Sequence, residues 1–169
     1  MAGDPDAAGG VTVRPLTTGD LPDLMRLQSR NFPSELHEDE ETIESLIAPG
    51  TRSFGAEVEG VLAGCILSCP GEDTPGTWYV YDIEVAPEFR GRGVASKLLE
   101  RLLGETLRAG LAVELHCRAA SHPIFSDAER MARYGYRIAF DRFLPGYYLE
   151  CDLDEDAWLV RLEPLEALQ

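Results

Sequence analysis

The chain predicts an α/β (α+β) fold: one domain with a mixed sheet and helices on both faces. Three observations predict it. Short apolar, β-branched segments alternate with amphipathic ones in the order β-α-α-β-β-β-α-β-α-β-β. The 169 residues, 44% hydrophobic, suffice for one domain with a real core. No segment repeats, and no run of about 18 or more apolar residues offers a membrane span.

The elements follow in order. Val11 to Leu16 alternates like a strand. Thr18-Gly19-Asp20 caps a helix from Leu21 to Phe32, striped by Leu21, Leu24, Met25 and Leu27 and broken at Asn31-Phe32-Pro33. An acidic helix runs from Asp39 to Ile47 and stops at Pro49-Gly50. Ser53–Val58 and Val61–Ser68 flank Glu59-Gly60, a hairpin signal. A Pro/Gly/Asp loop over Pro70–Gly76 leads to a strand from Trp78 to Val85. A long helix covers Gly91 to Ala109, with Leu98, Leu99, Leu102, Leu103 and Leu107 on one side, and Gly110 ends it. Ala112–Arg118 is a strand, Ser126–Tyr134 a helix ended by Gly135, and Tyr136–Phe143 and Trp158–Leu162 are the last strands. Met1–Gly10 reads as a disordered leader, neither basic nor apolar enough for a signal peptide. The domain proper spans 11–163, and 164–169 is a tail.

Charge and cysteine usage exclude several functions. A net charge of −15 repels nucleic acid and anionic membrane, so neither is expected as a partner, while protonated amines are attracted. The four cysteines, Cys65, Cys69, Cys117 and Cys151, form no Cys-x-x-Cys pair, and histidine is scarce, so no metal site is expected. They read as small buried hydrophobes in a reducing cytoplasm.

The segment Val85-Ala86-Pro87-Glu88-Phe89-Arg90-Gly91-Arg92-Gly93-Val94-Ala95-Ser96 carries the chemistry. A strand feeds a helix whose first turn is glycine-rich. Glycine lets a ligand approach the backbone, and the free N–H groups and dipole of a helix start favour an anion. Arg90, Arg92, Lys97 and Arg101 form the tight basic cluster of this acidic chain, and Lys97 is its sole lysine. The ligand is therefore phosphate-bearing. A phosphate-binding Gly-x-x-x-x-Gly-Lys-Ser/Thr run is missing, and Gly91-x-Gly93 lacks the third glycine of a dinucleotide fingerprint because Ser96 follows.

What remains, Arg90-x-x-Gly93-x-Ala95, resembles the coenzyme A pyrophosphate loop of the GNAT N-acetyltransferase superfamily. The order of elements matches that superfamily over Val11 to Glu163. The resemblance implies a mostly antiparallel GNAT-like sheet, acetyl-CoA as co-substrate and, as a superfamily expectation, a homodimer. It assigns backbone contacts with the pantetheine arm to Ile83, Glu84 and Val85. It assigns the pyrophosphate to Arg90, Gly91, Arg92, Gly93, Val94, Ala95 and Ser96.

Acetyl transfer to an amine needs a proton acceptor, because an ammonium is no nucleophile. Asp82 and Glu84 share one face of their strand, opposite Ile83 and Val85. Tyr79-Val80-Tyr81-Asp82-Ile83-Glu84-Val85 resembles the matching strand of aminoglycoside 3-N-acetyltransferases, whose aspartate contacts the amine, so Asp82 is the first candidate and Glu84 its neighbour. His116 is the second, since a pKa of roughly 6.5 suits a base near neutrality. Some protein N-terminal acetyltransferases carry Leu-His at the place of Leu115-His116 and a tyrosine at the place of Tyr79. Tyr147-Tyr148 followed by Asp156-Ala157 resembles the ending of ribosomal-protein and N-terminal acetyltransferases, where the tyrosines wall the substrate groove. One departure stands out: the superfamily tyrosine that protonates the thiolate falls on Met131, four places before Gly135-Tyr136.

The expected activity is transfer of an acetyl group from acetyl-CoA to a primary amine by direct attack in a ternary complex. The Asp82 segment favours a small-molecule amine. The alternatives are a protein N-terminal or lysine amine, favoured by Tyr147-Tyr148, and a non-catalytic CoA-binding sensor, to which the missing tyrosine gives weight.

Overall fold

The computed structural model describes residues 10–165. Most of the expected leader and the end of the expected tail lie outside the described residues. Seven strands form one sheet: β1 (Thr12–Pro15), β2 (Phe54–Val58), β3 (Val61–Pro70), β4 (Thr77–Val85), β5 (Ala112–Cys117), β6 (Tyr136–Leu144) and β7 (Ala157–Pro164). Their order is β1-β2-β3-β4-β5-β7-β6. The helices are α1 (Leu21–Asn31), α2 (Glu40–Ile47), α3 (Val94–Arg108), α4 (His122–Phe125) and α5 (Ala128–Arg133). The β-branched segments thus became strands of a mixed sheet: β1–β2, β2–β3, β5–β7 and β6–β7 pair antiparallel, and β4–β5 pair parallel.

The chain clusters into two compact units. The first comprises residues up to Leu67 together with Asp82–Leu102, and the second Ser68–Tyr81 with the residues from Leu103 on. In the first unit, β1 pairs β2 and β2 pairs β3, both antiparallel. The β2–β3 turn uses Glu59 at φ 52° and Gly60 at φ 77°, two successive left-handed residues that match the twist of a tight hairpin. Asp39 starts α2 by accepting the Thr42 N–H at 2.8 Å. In the second unit, β5 pairs parallel with β4 over Thr77–Val80 against Ala112–Leu115, and antiparallel with β7.

Six successive residues of β3, Ala63 to Ser68, are buried, as befits a strand covered on both faces. Leu98, Leu99, Leu102 and Leu103 of α3 are all 1% exposed or less, so the expected stripe is the buried one. Each such leucine contributes about 1.5–3 kcal/mol. Tyr136 is also fully buried; its hydroxyl pairs with Thr106 at 2.8 Å and donates to the Leu111 carbonyl at 3.0 Å.

Two boundaries differ from expectation for local reasons. The long helix begins at Val94 rather than Gly91, because Gly91 and Gly93 take φ of 77° and 80°, outside helical space. The expected Ser126–Tyr134 helix is α5, which starts at Ala128 because Asp127 accepts the Arg130 N–H at 3.0 Å. A separate short helix, α4, precedes it over His122–Phe125 with Pro123 in its opening turn.

Candidate active site

In the first unit, the segment after β4 folds back before α3. The Ala86 N–H donates to the Ala63 carbonyl at 2.8 Å, and Pro87–Phe89 makes a single 3-10 turn. Arg90 is held at both ends: its Nε donates to the Val85 carbonyl at 3.3 Å and its Nη2 to Asn31 Oδ1 at 2.8 Å. Arg30 and Glu88 pair beside it, and the Arg92 guanidinium lies 5.4 Å from the Phe89 ring centre. Gly91 and Gly93 are exposed with positive φ, and a Cβ at either would meet nothing, so their glycine requirement is conformational. The first α3 turn bond is Lys97 N–H to the Gly93 carbonyl, 3.0 Å, so the N–H groups of Val94, Ala95 and Ser96 precede it. Buried Val94 anchors the helix start, while Arg90, Gly91, Arg92, Gly93, Ser96 and Lys97 are exposed. This cradle of glycine backbone, helix-start amides and arginines fits a diphosphate. Arg101, expected in the same basic cluster, packs its guanidinium 4.7 Å from the Phe54 ring centre.

The same unit holds the carboxyl pair. Asp82 is half-buried and Glu84 is 4% exposed. Glu84 Oε2 receives the Cys65 thiol at 3.8 Å, and its Oε1 has no hydrogen-bond partner. Burial pushes the Glu84 carboxyl well above the usual range, and the charge of Asp82 adds to this. Burial raises Asp82 too, held back by the hydrogen bond it shares with Glu84. Gly64 and Cys65 of β3 were not singled out in the sequence. A Cβ on Gly64 would lie 2.5 Å from the Glu84 carbonyl oxygen, so only glycine lets the backbones come this close. A glycine inside a strand was the available signal.

The second unit holds the aromatic candidates. His116 Nδ1 and the Tyr79 hydroxyl are 2.7 Å apart. The Tyr147 ring stacks on the imidazole with centres 4.6 Å apart and planes 15° from parallel, and Tyr148 meets Tyr147 edge-on at 5.0 Å. Each aromatic contact of this kind is worth about 0.5–1.5 kcal/mol beyond burial. Tyr147 is 42% exposed, so the cluster has an open side. Burial lowers the pKa of His116 and the charge of Glu114 opposes it. Glu114 is itself paired with Arg161 at 2.7 Å. Burial raises Tyr79, and it carries Tyr148 up to about 12, so both phenols stay neutral at physiological pH. Asp156 Oδ1 accepts the Gly146 N–H at 2.7 Å, pinning the turn from which Tyr147 and Tyr148 project. That bond gives the Tyr-Tyr…Asp-Ala spacing a physical reason.

Met131, at the place of the superfamily tyrosine, is fully buried in the core. Among the described residues, no group of three or more His, Cys, Asp or Glu side chains could hold a metal ion. No helix among them is long and apolar enough to cross a membrane.

Comparison with known proteins gives the family and the fold. Residues 21–136 match the family described as Acetyltransferase (GNAT) family. No curated protein matches the chain by sequence. Among solved structures, the ribosomal-protein-S18-alanine N-acetyltransferase from Escherichia coli is 26% identical, with a TM-score of 0.67 over 93% of this chain and 96% of that one. Diaminobutyrate acetyltransferase EctA from Paenibacillus lautus, solved with L-2,4-diaminobutyric acid and coenzyme A, is 19% identical with a TM-score of 0.72, covering 93% of this chain and 96% of its own. NAA60 from Arabidopsis thaliana, solved with acetyl-CoA, is 21% identical with a TM-score of 0.66, covering 89% and 98%. The last two likenesses are of fold. The sheet, the loop and the family match together place this chain in the GNAT family, as an enzyme that transfers acetyl groups from acetyl-CoA.

Proposed function

We propose that the chain, as one acetyltransferase domain over residues 11–163, acetylates a primary amine presented by a peptide, its N-terminal amine first. The observation that carries this is the cluster of Tyr79, His116 and Tyr147. An imidazole held by a phenol on one side and an open tyrosine ring on the other is a base with a wall for a chain-like substrate. The similarity to an enzyme named for ribosomal protein S18 alanine, at 26% identity, supports it.

The roles follow from the chemistry. His116 donates its Nδ1–H to the neutral Tyr79 oxygen, which leaves Nε2 to take the amine proton. Its lowered pKa keeps it neutral, and so able to accept, at physiological pH. Tyr147 and Tyr148 line the acceptor side. The backbones of Ile83 and Val85, beyond the end of the Thr77–Val80 ladder, serve the pantetheine arm. Arg90, Arg92 and the amides from Gly91 to Ser96 bind the diphosphate. Bound acetyl-CoA supplies the thioester, so no covalent enzyme intermediate is needed.

A second reading, the small-molecule amine, is favoured by the carboxyl pair. Asp82, with Glu38 near enough to raise it, is an anionic feature suited to a compact cationic amine. The test is a panel of free-N-terminal peptides, polyamines and aminoglycosides with acetyl-CoA, scored by released thiol and product mass. Peptides turning over at least tenfold better than the small amines is the expected result. The reverse ranking overturns the peptide proposal in favour of the small amine.

A further inference from the structure

The roles above leave Glu84 without one. It is 4% exposed, with Oε1 unpartnered and Oε2 met by the Cys65 thiol at 3.8 Å. The titratable groups facing it are Asp82 on the same strand, Cys65 on β3 and, through Asp82, Glu38 ahead of α2. None is cationic. An ionised carboxyl in that setting lacks both water and a counter-charge, which is among the costliest arrangements a protein can hold. Protonated, the same group becomes a hydrogen-bond donor. The acceptor it interacts with, Asp82, lies two residues back on the same face of β4.

We infer that Glu84 is a proton-bearing positioning residue. It keeps its own carboxyl neutral and donates a hydrogen bond to Asp82. That bond fixes Asp82 as the single negative charge of the pair, turned toward the acceptor amine. The inference rests on Asp82 meeting the amine, the second reading above. It accounts for the orphaned oxygen, for the thiol in place of a cation at Cys65, and for a carboxyl so deep in a strand beside the donor loop.

The test uses the full-length protein and two variants. Glu84→Leu removes the donor at similar bulk, and Glu84→Gln restores a donor that cannot ionise. Carboxyl 13C NMR titration of the unmodified protein reads the proton directly. Glu84 protonated through neutral pH, with Asp82 carrying the charge, is expected; Glu84 ionising in the ordinary carboxylate range overturns the inference. In pH–rate profiles, Glu84→Leu should move the acidic limb upward. It should also raise KM for the amine about tenfold, with KM for acetyl-CoA unchanged. Glu84→Gln should recover most of both losses. A glutamine variant that folds, by circular dichroism, yet fails as the leucine variant does would show that ionisation rather than donation matters, and overturns it. Asp82→Asn with undiminished turnover removes the amine from the scheme and overturns the functional half. The NMR titration distinguishes that failure from a wrong placement of the proton.

Discussion

Two stretches of β4 hold titratable side chains in opposite ways. In the second unit, Tyr79 and His116 share a 2.7 Å hydrogen bond and Tyr147 covers one face of the ring, while the cluster stays open through Tyr147. In the first, Glu84 is closed off, with an unpartnered oxygen, a thiol and another carboxyl for company. Burial acts on both but favours the neutral form in each, lowering the histidine and raising the glutamate. A neutral imidazole is ready to accept a proton; a neutral carboxyl already holds one. The comparison teaches that desolvation of one sign prepares two groups for opposite proton roles.

The sharpest break in that comparison is His116→Ala. If His116 is the acceptor, kcat should fall about a hundredfold or more, with KM for acetyl-CoA unmoved. A fall under tenfold would pass the role to Asp82. Next is the donor loop of the first unit. Arg90→Glu with Arg92→Glu should weaken acetyl-CoA binding roughly a hundredfold in calorimetry, since each charge-assisted contact contributes about 1.5 kcal/mol or more. The circular dichroism spectrum should be unchanged. Unaltered affinity would remove the loop from the binding site. Tyr79→Phe is milder: loss of the 2.7 Å bond frees the imidazole to change tautomer, and turnover should drop about tenfold.

The smallest effect is on stability. If the native state keeps a proton on Glu84 that the unfolded chain has lost, the group's contribution is present below the ordinary carboxylate range and disappears as pH rises above it. Urea unfolding should show stability falling by at most about 1.4 kcal/mol per pH unit from this group. Glu84→Gln should flatten that slope, whereas His116→Ala should leave it in place. Equal slopes in the wild type and Glu84→Gln would mean Glu84 ionises normally in the fold.

Much of the fold was legible from local patterning. The α3 stripe of Leu98, Leu99, Leu102 and Leu103, the Glu59-Gly60 hairpin and the end of α1 before Pro33 depend on residues a few places apart. The departures were local too. Positive φ at Gly91 and Gly93 delayed α3, and the Asp127 cap set the start of α5 at Ala128. Neither shows in hydrophobic periodicity, which reports which face is buried and not where a backbone leaves helical space.

By itself the sequence determined the acetyl-CoA-dependent family, which the match over residues 21–136 shows. The features that make Arg90 to Ser96 the proposed donor loop, its backbone conformation, helix-start amides and nearby charge, are all set by contiguous residues. Only the tertiary structure decided which side chains share an environment. Tyr79 and His116 stand 37 residues apart and meet because Tyr79 and Glu114 pair across parallel strands, bringing the ends of the two side chains together. Cys65 and Glu84 stand 19 apart and meet because Gly64 has no side chain to keep β4 away. Strand register and close backbone approach are collective results of packing, so the proton chemistry that depends on them has no signature in a linear run of residues.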